Sequence, residues 1–396
     1  MRGIFLAAAT AVVASSGIAQ SGAAQSNGRD GALTIDDSLF LPIRLPETMA
    51  FGYPPNEIFL PRIIELVRQR QFDSLDTMFD GLAADVRRDV RNELRFGTAF
   101  DAARRNDPAL LADIDAWIAA RPASAHARVA RATYHLAASW RRRGGAYTGD
   151  TPRENIRGMQ ESAKKAIEDV AAGLRIDSTH LVAYEIGIAV MQLAGSHEDA
   201  YRLMVRGLSM HRGSYGLPRS LIVMLWPRWG GTEELMMQLA EQAAKDSALN
   251  PRLVTLRGAI YENRANDSSL ANNYAGAVRE LNKAVAYGPE RDYIADRGKA
   301  YYRLGAYEFA FHDLRAVMME ISQDEDVLDY YGRTLIELAT RARPAIRPTI
   351  LDRAIEVLTL ATYLDPSKPT SRTALARARK LAGKQVSSRA SARDLV

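Results

Sequence analysis

The chain of 396 residues contains no cysteine. That excludes disulfides, cysteine nucleophiles, thiolate metal sites and a lipid anchor on a lipobox cysteine. It is compatible with an oxidising compartment without requiring one. Histidine is scarce, and the residues His126, His135, His180, His211 and His312 are scattered, so each reads as a surface or packed side chain. His197-Glu198-Asp199-Ala200-Tyr201 opens like a zinc-protease helix, but Tyr201 stands where the second histidine would share the metal. There is no Gly-x-Ser-x-Gly elbow and no phosphate-loop lysine motif. No segment sustains a period-two alternation rich in β-branched residues, which argues against a sheet. Beyond the N-terminus no stretch is long and apolar enough to span a bilayer. The net charge is +5 and is spread over many Arg, Asp and Glu residues, which suits solubility better than a polyanion partner. These absences predict no catalytic residues, no cofactor, no metal and no nucleic-acid partner.

The N-terminus is a targeting pattern. Met1-Arg2 gives a short positive start, residues 4–15 form an apolar alanine-rich run, and small residues follow at Gly17/Ala19 and Gly22/Ala24. Each pair fits the −3/−1 positions of a signal-peptidase site, so the reading is a cleaved signal peptide over 1–24, cut after Ala19 or Ala24. The other reading, a membrane anchor, would need a run of about 20 apolar residues. Export to the periplasm or the medium follows as the expectation.

The stretch from Tyr293 to Ser322 organises the remainder. It reads as two short amphipathic helices bent at Leu304-Gly305-Ala306. Gly298 and Ala310 are small where the helices must touch, and Ile294, Tyr301, Tyr307, Leu314 and Val317 recur at helical spacing. A pair this short cannot bury its own apolar face and needs similar pairs on both sides. A preceding unit has Gly258, Tyr261, Tyr274, Ala277, Leu281, Ala284 and Pro289, with an insertion over 265–272. A following unit has Gly332, Leu335, Ala354, Leu358, Ala361 and Pro366, with an inserted loop over 341–348. This unit resembles a tetratricopeptide repeat, whose period is about 34 residues; Ser322 departs from the proline often found at its position. Tyr293, Tyr301, Tyr302 and Tyr307 form an aromatic stripe, read mainly as inter-helix core, with Tyr301 and Tyr302 as partner-binding candidates.

Upstream, helices are expected over about 56–70, 72–86, 89–105, 108–120, 124–143, 153–174, 179–194, 197–211, 218–226 and 232–246. Thr151 before Pro152 is expected to cap the long helix, and Thr232 the one that follows Gly230-Gly231. Residues 25–55 are rich in Gly, Pro and Asp and read as a flexible leader whose apolar patch over 39–45 rests on the first helices. Residues 384–396 read as a frayed tail. The domain plan is thus signal 1–24, leader 25–55, an N-terminal helical array 56–250, repeats 251–383 and the tail.

All four tryptophans lie in three short motifs: Asp115-Ala-Trp117-Ile-Ala-Ala-Arg121-Pro122, Trp140-Arg-Arg-Arg143-Gly144, and Trp226-Pro227-Arg228-Trp229-Gly230-Gly231-Thr232-Glu233-Glu234. Together they resemble the bacterial domain of unknown function 4034, a helical-repeat family, over roughly residues 60–250. The resemblance implies a fold and no activity. It marks Trp117, Arg121, Pro122, Trp140, Arg143, Gly144, Pro227, Arg228, Trp229, Gly230 and Gly231 as motif residues. Trp and Arg can stack and tie helix ends at repeat junctions, or they can line a groove for a peptide or carboxylate.

The fold expected is all-α, an α-solenoid of stacked antiparallel helix pairs. The first functional reading is a non-enzymatic interaction scaffold in the cell envelope that binds a protein or peptide partner. The second is an enzyme or small-ligand binder at the 226–234 turn, with Arg143, Arg228 and Glu233 around a perturbed carboxylate. Trp229 is expected to be buried, with Arg228 turned away to a carboxylate or a helix-end carbonyl.

Overall fold

The computed structural model describes residues 35–41, 45–145, 150–320 and 323–383. Among them are seventeen α-helices and no strand. The first five are α1 (Leu60–Arg68), α2 (Phe72–Arg88), α3 (Glu93–Asp101), α4 (Pro108–Ala120) and α5 (Ala125–Arg143). Next come α6 (Arg153–Ile176), α7 (Leu181–Ala194), α8 (His197–Met210), α9 (Gly216–Met224) and α10 (Glu233–Ala244). The remaining helices are α11 (Ala259–Leu270), α12 (Tyr274–Val285), α13 (Arg291–Arg303), α14 (Tyr307–Glu320), α15 (Glu325–Arg341), α16 (Arg347–Leu364) and α17 (Pro369–Leu381). None of them is long and apolar enough to cross a membrane.

The boundaries follow from local chemistry. Side-chain caps hold several first turns: Ser124 accepts from Ala127 N, Thr232 from Leu235 N and Asn273 from Gly276 N. Asp324 accepts from Asp326 N and Val327 N, which satisfies two donors that the helix itself leaves open. The expected Thr151 cap does not form. Pro152 occupies the cap position of α6 without a side-chain bond, because the helix starts at Arg153, after the proline rather than on it. The segment expected as one helix over 89–105 is α3 flanked by tight 3-10 turns at Val90–Asn92 and Ala102–Arg104. The insertion over 265–272 is largely helical, since α11 runs on to Leu270 and buries Ala265.

Consecutive helices pair and stack. The partners α5/α6, α7/α8, α11/α12, α13/α14 and α15/α16 lie side by side, and each second helix leans on the next first helix. First helices also touch their successors, as in α5 to α7, α7 to α9, α13 to α15 and α15 to α17. They form one layer of an all-α solenoid. Close approach within a pair depends on small residues: a Cβ on Gly298 would stand 2.9 Å from Leu314 Cγ, and one on Gly332 would stand 2.4 Å from Leu358 Cγ. Ala310 is fully buried opposite. Position 322 lies outside the described residues.

The array closes on itself. Leu60 N donates to Gln323 Oε1 at 2.6 Å, and Gln323 Nε2 donates to the Ile58 carbonyl, joining the start of α1 to the turn before α15. Arg105 lies 4.8 Å from the ring centroid of Tyr363 at the end of α16. One hydrophobic core accordingly runs from Ile35 to Ala378.

The leader takes part in this closure. Phe40 is 1% exposed and meets Phe311 of α14 with ring centroids 5.0 Å apart. Arg315 Nε donates to the Leu39 carbonyl at 3.0 Å, and Asp37 pairs with Arg343 at 2.6 Å. Tyr53 Oη donates to Glu93 at 2.8 Å and accepts from Asn250 at 2.8 Å. The described part of the leader therefore binds the last repeats as well as the first helices, whereas its apolar patch was expected on the first helices. The long aromatic side chains Phe40 and Tyr53 find their pockets between pairs far apart in sequence. Residues 1–34, the expected signal peptide included, and 384–396 lie outside the described residues.

Candidate functional site

The tryptophan motifs divide by environment. Trp117 is 1% exposed, stacked on Phe72 at 6.4 Å and tilted on Phe79 at 5.9 Å, so it is core. Arg121, at the end of the same helix, pairs with Asp73 and lies 4.0 Å from Asp76. The other two motifs meet. Trp140 approaches Trp229 edge-on at 5.6 Å, and the Trp229 ring carries Arg143 at 4.7 Å and Arg228 at 5.3 Å from its centroid. Burial, followed by the nearby Arg228 charge, lowers the pKa of Arg143. The indole face thus sits beside two guanidinium groups and offsets part of their repulsion.

Two expectations fail here. Trp229 is half-buried rather than buried, because the 3-10 turn Pro227–Trp229 and the left-handed Gly230 hold the ring at the end of α5 rather than under a helix pair. Arg228 lies over its neighbour's ring rather than turning away. Glu233 does not complete a pocket with these arginines. Its carboxylate is held by Arg264 through bonds of 2.8 and 2.6 Å.

The tyrosines of the last repeats build a second surface. Tyr293 is buried and donates to the Thr255 carbonyl at 2.9 Å. Tyr301 stacks on Phe309 at 5.2 Å. Tyr302 turns to a different set, with Tyr307 at 5.5 Å, Tyr330 at 5.4 Å and Arg333 at 4.6 Å. The expected single stripe therefore splits, since neighbours in sequence point about 100° apart on a helix. What replaces it is a ladder. Arg303 lies 5.9 Å from Tyr274 and 5.8 Å from Tyr330, Arg333 lies 5.2 Å from Tyr330, and Arg341 lies 4.8 Å from Tyr307. Rings and guanidinium groups alternate across α12, α13, α14 and α15, and Phe309 beside them is 55% exposed.

Two features carried no sequence signal. The first is a partly open cavity of about 350 Å³ where the array curves round. Its wall comes from α3, α5, α7, α9 and α13, with Glu93, Glu185, Arg219, Arg291 and Asp292 among the charged groups. Burial, then the charges of Glu93 and Asp101, push Glu185 up to about 8. The residues come from helices scattered over two hundred positions, so no local motif announces them.

The second is a chain of imidazoles. Ala183 N donates to His180 Nδ1 at 3.3 Å, which leaves the His180 proton on Nε2. That nitrogen lies 3.1 Å from His126 Nδ1, and His126 Nε2 lies 3.0 Å from Asp80. One consistent set of tautomers donates along the whole chain to the carboxylate. Burial, with His126 beside it, pushes His180 down to about 3. Phe79, Phe96 and Phe100 surround both rings. His126 and His180 both sit at the start of a first helix, so stacking successive pairs brings them together.

With this geometry in view, known proteins give the following picture. Residues 60–179 match the family described as Domain of unknown function (DUF4034). The match takes in the Trp117 and Trp140 motifs and ends before the 226–234 turn. No curated protein matches the chain. Among solved structures, one from Pseudomonas aeruginosa, reported as a functional characterisation of pilF, is 14% identical with a TM-score of 0.32. It is matched over 63% of this chain and 98% of that one. A tetratricopeptide repeat protein from Parabacteroides merdae is 13% identical with a TM-score of 0.29, over 80% of this chain and 99% of that one. YrrB, described as a TPR protein with an unusual peptide-binding site, is 13% identical with a TM-score of 0.23, over 66% and 96%. At these scores the likeness carries no argument about this chain, and the fold class rests on the helix pairing itself.

Proposed function

We propose that this is an exported, non-catalytic interaction module that binds a protein or peptide partner in the cell envelope. The observation that carries the reading is the tyrosine–arginine ladder of the last repeats. Tyrosine and arginine dominate the few interface residues that hold most binding energy. Here neighbouring rings and guanidinium groups hold each other in place, which lowers the entropy a partner must remove on binding. Export is supported by the N-terminal pattern of Met1 to Ala24. N-terminal sequencing of envelope material should begin at Gln20 or Gln25; material beginning at Met1 would remove export from the reading.

The binding surface is tested in the full chain with a photo-crosslinking residue placed at Phe309 or at Arg303, and at Lys245 as a control away from the ladder. The expected result is one discrete crosslinked partner from the two ladder positions and none from Lys245. Equal crosslinking at all three positions, or none at the ladder, counts against it.

A further inference from the structure

The charged groups of the central cavity are unequally engaged. Glu93 is fully taken up by Tyr53 Oη, Ser214 Oγ and the backbone N–H groups of Tyr215 and Gly216. Arg219 donates to Glu262 at 2.6 Å and Asp292 at 3.1 Å. Arg252 is bound bidentately by Glu290. The buried Arg219 Nη1 has no partner, and one carboxyl and one further guanidinium are also left with bonding capacity to spare. Glu185 makes no hydrogen bond and no ion pair among the described residues, and its carboxyl lies so close to α9 that a Cβ on Gly216 would stand 1.9 Å from Oε1. Arg291 bonds Asp292 through Nε at 3.0 Å, and its two terminal nitrogens form no such bond. Both side chains line the cavity. Arg291 is near enough to Glu185 to act on it electrostatically, yet the two make no ion pair.

A carboxyl and a guanidinium that share a cavity without touching leave room for a molecule carrying an ammonium and a carboxylate, the ammonium taking the place of the proton on Glu185. A guanidinium with two free nitrogens takes a carboxylate in a planar fork. A lone carboxyl takes an ammonium. The volume of about 350 Å³ is at the small end of ligand sites. We propose that the cavity binds a free α-amino acid, its carboxylate on Arg291 and its ammonium on Glu185. The other charged groups lining the cavity are Glu93 and Asp101 of α3 and Arg104 beyond it, Arg219 of α9, Arg252, Asp292 of α13 and Asp324 before α15. Glu93 and Asp101 reinforce the preference for an ammonium at that end.

Binding carries a proton signature. With Glu185 pushed up to about 8, the empty site holds a proton at neutral pH, and the ammonium displaces it. The test is calorimetry on the full mature chain with each of the proteinogenic amino acids in turn. At least one should bind at submillimolar concentration. Its N-acetyl form, lacking the ammonium, and its amide, lacking the carboxylate, should each bind about tenfold or more weakly. At neutral pH the heat should change with the ionisation enthalpy of the buffer. Glu185→Gln keeps the shape of the protonated side chain; it should weaken binding by about tenfold or more and abolish the buffer dependence of any remaining heat. No binding by any amino acid, equal binding of the N-acetyl form, or unchanged binding by Glu185→Gln would each overturn the proposal. The analogue comparison uses the unaltered protein and so does not depend on how any variant folds.

Discussion

Arg252 and Glu290 form a bidentate ion pair, with bonds of 2.7 and 2.8 Å, in which both side chains are withdrawn from solvent. The guanidinium also lies 4.5 Å from the ring centroid of Tyr215 and 5.1 Å from that of Tyr53. The pair thus joins three parts of the chain: the leader, the start of α9 and the turn before α13.

Removing one member strands the other without water. Glu290→Gln should cost about 3–5 kcal/mol by denaturant unfolding. Replacing both, as Arg252→Met with Glu290→Leu, should cost less than Glu290→Gln alone, because no uncompensated charge remains. A double variant that is weaker than the single one would show that the rings, rather than the pair, are what matters at this point.

Packing within a pair should be sensitive at Ala310 and indifferent one residue earlier. Ala310→Leu must push into the contact that Gly298 keeps short, at about 1–3 kcal/mol. Phe309→Ala, on the exposed side, should stay within about 0.5 kcal/mol. Melting temperatures of the two variants check this directly.

The tryptophans should separate in the same assay. Trp117→Ala leaves a cavity among Phe72 and Phe79 and should cost about 3–5 kcal/mol. Trp229→Ala removes a partly buried ring with two guanidinium contacts and should cost about 1–2 kcal/mol. Comparable losses at both positions would mean that Trp229 supports the junction as core.

The imidazole chain predicts an acid-side slope. His180 titrates at about 3 in the folded protein, against the ordinary value of 6.5. Between those values the unfolded chain binds the proton and the folded one does not, so stability falls as pH drops from about 6.5 towards 3. His180→Asn keeps a capping side chain for α7 and removes the imidazole. Its unfolding free energy should fall less steeply over that window than that of the unaltered protein, and an unchanged slope would place the acid sensitivity elsewhere.

The helix ends were readable because their signals are local. Thr232 caps α10, Pro108 opens α4, and Gly305 in the left-handed region turns α13 into α14. The close contact at Gly298 follows from the same short-range spacing. What sequence could not carry is contact over distance. Leu60 and Gln323 are 263 positions apart, and neither has a composition that points to the other. The cavity has the same character, since Glu185 and Arg291 acquire meaning only once the array curves round. The Trp229 expectation failed for a different reason: a large ring beside Pro and Gly reads as junction filler, whereas the turn directs it to the end of α5. The aromatic stripe divides because adjacent tyrosines on a helix serve different neighbours, while all four rings pack between helices as expected.

The leader's attachment to both ends of the array changes how the molecule comes apart. A linear stack of helix pairs unravels from its free termini, each pair answering only to its neighbours. Here Phe40 and Asp37 hold the α14–α16 region while Tyr53 and Asn56 hold α3, so the first and last pairs are each other's neighbours. Neither the first nor the last described helix pair can come loose alone. Loss of α17 should be felt at α1, and the chain should melt as a single cooperative unit rather than as a zipper.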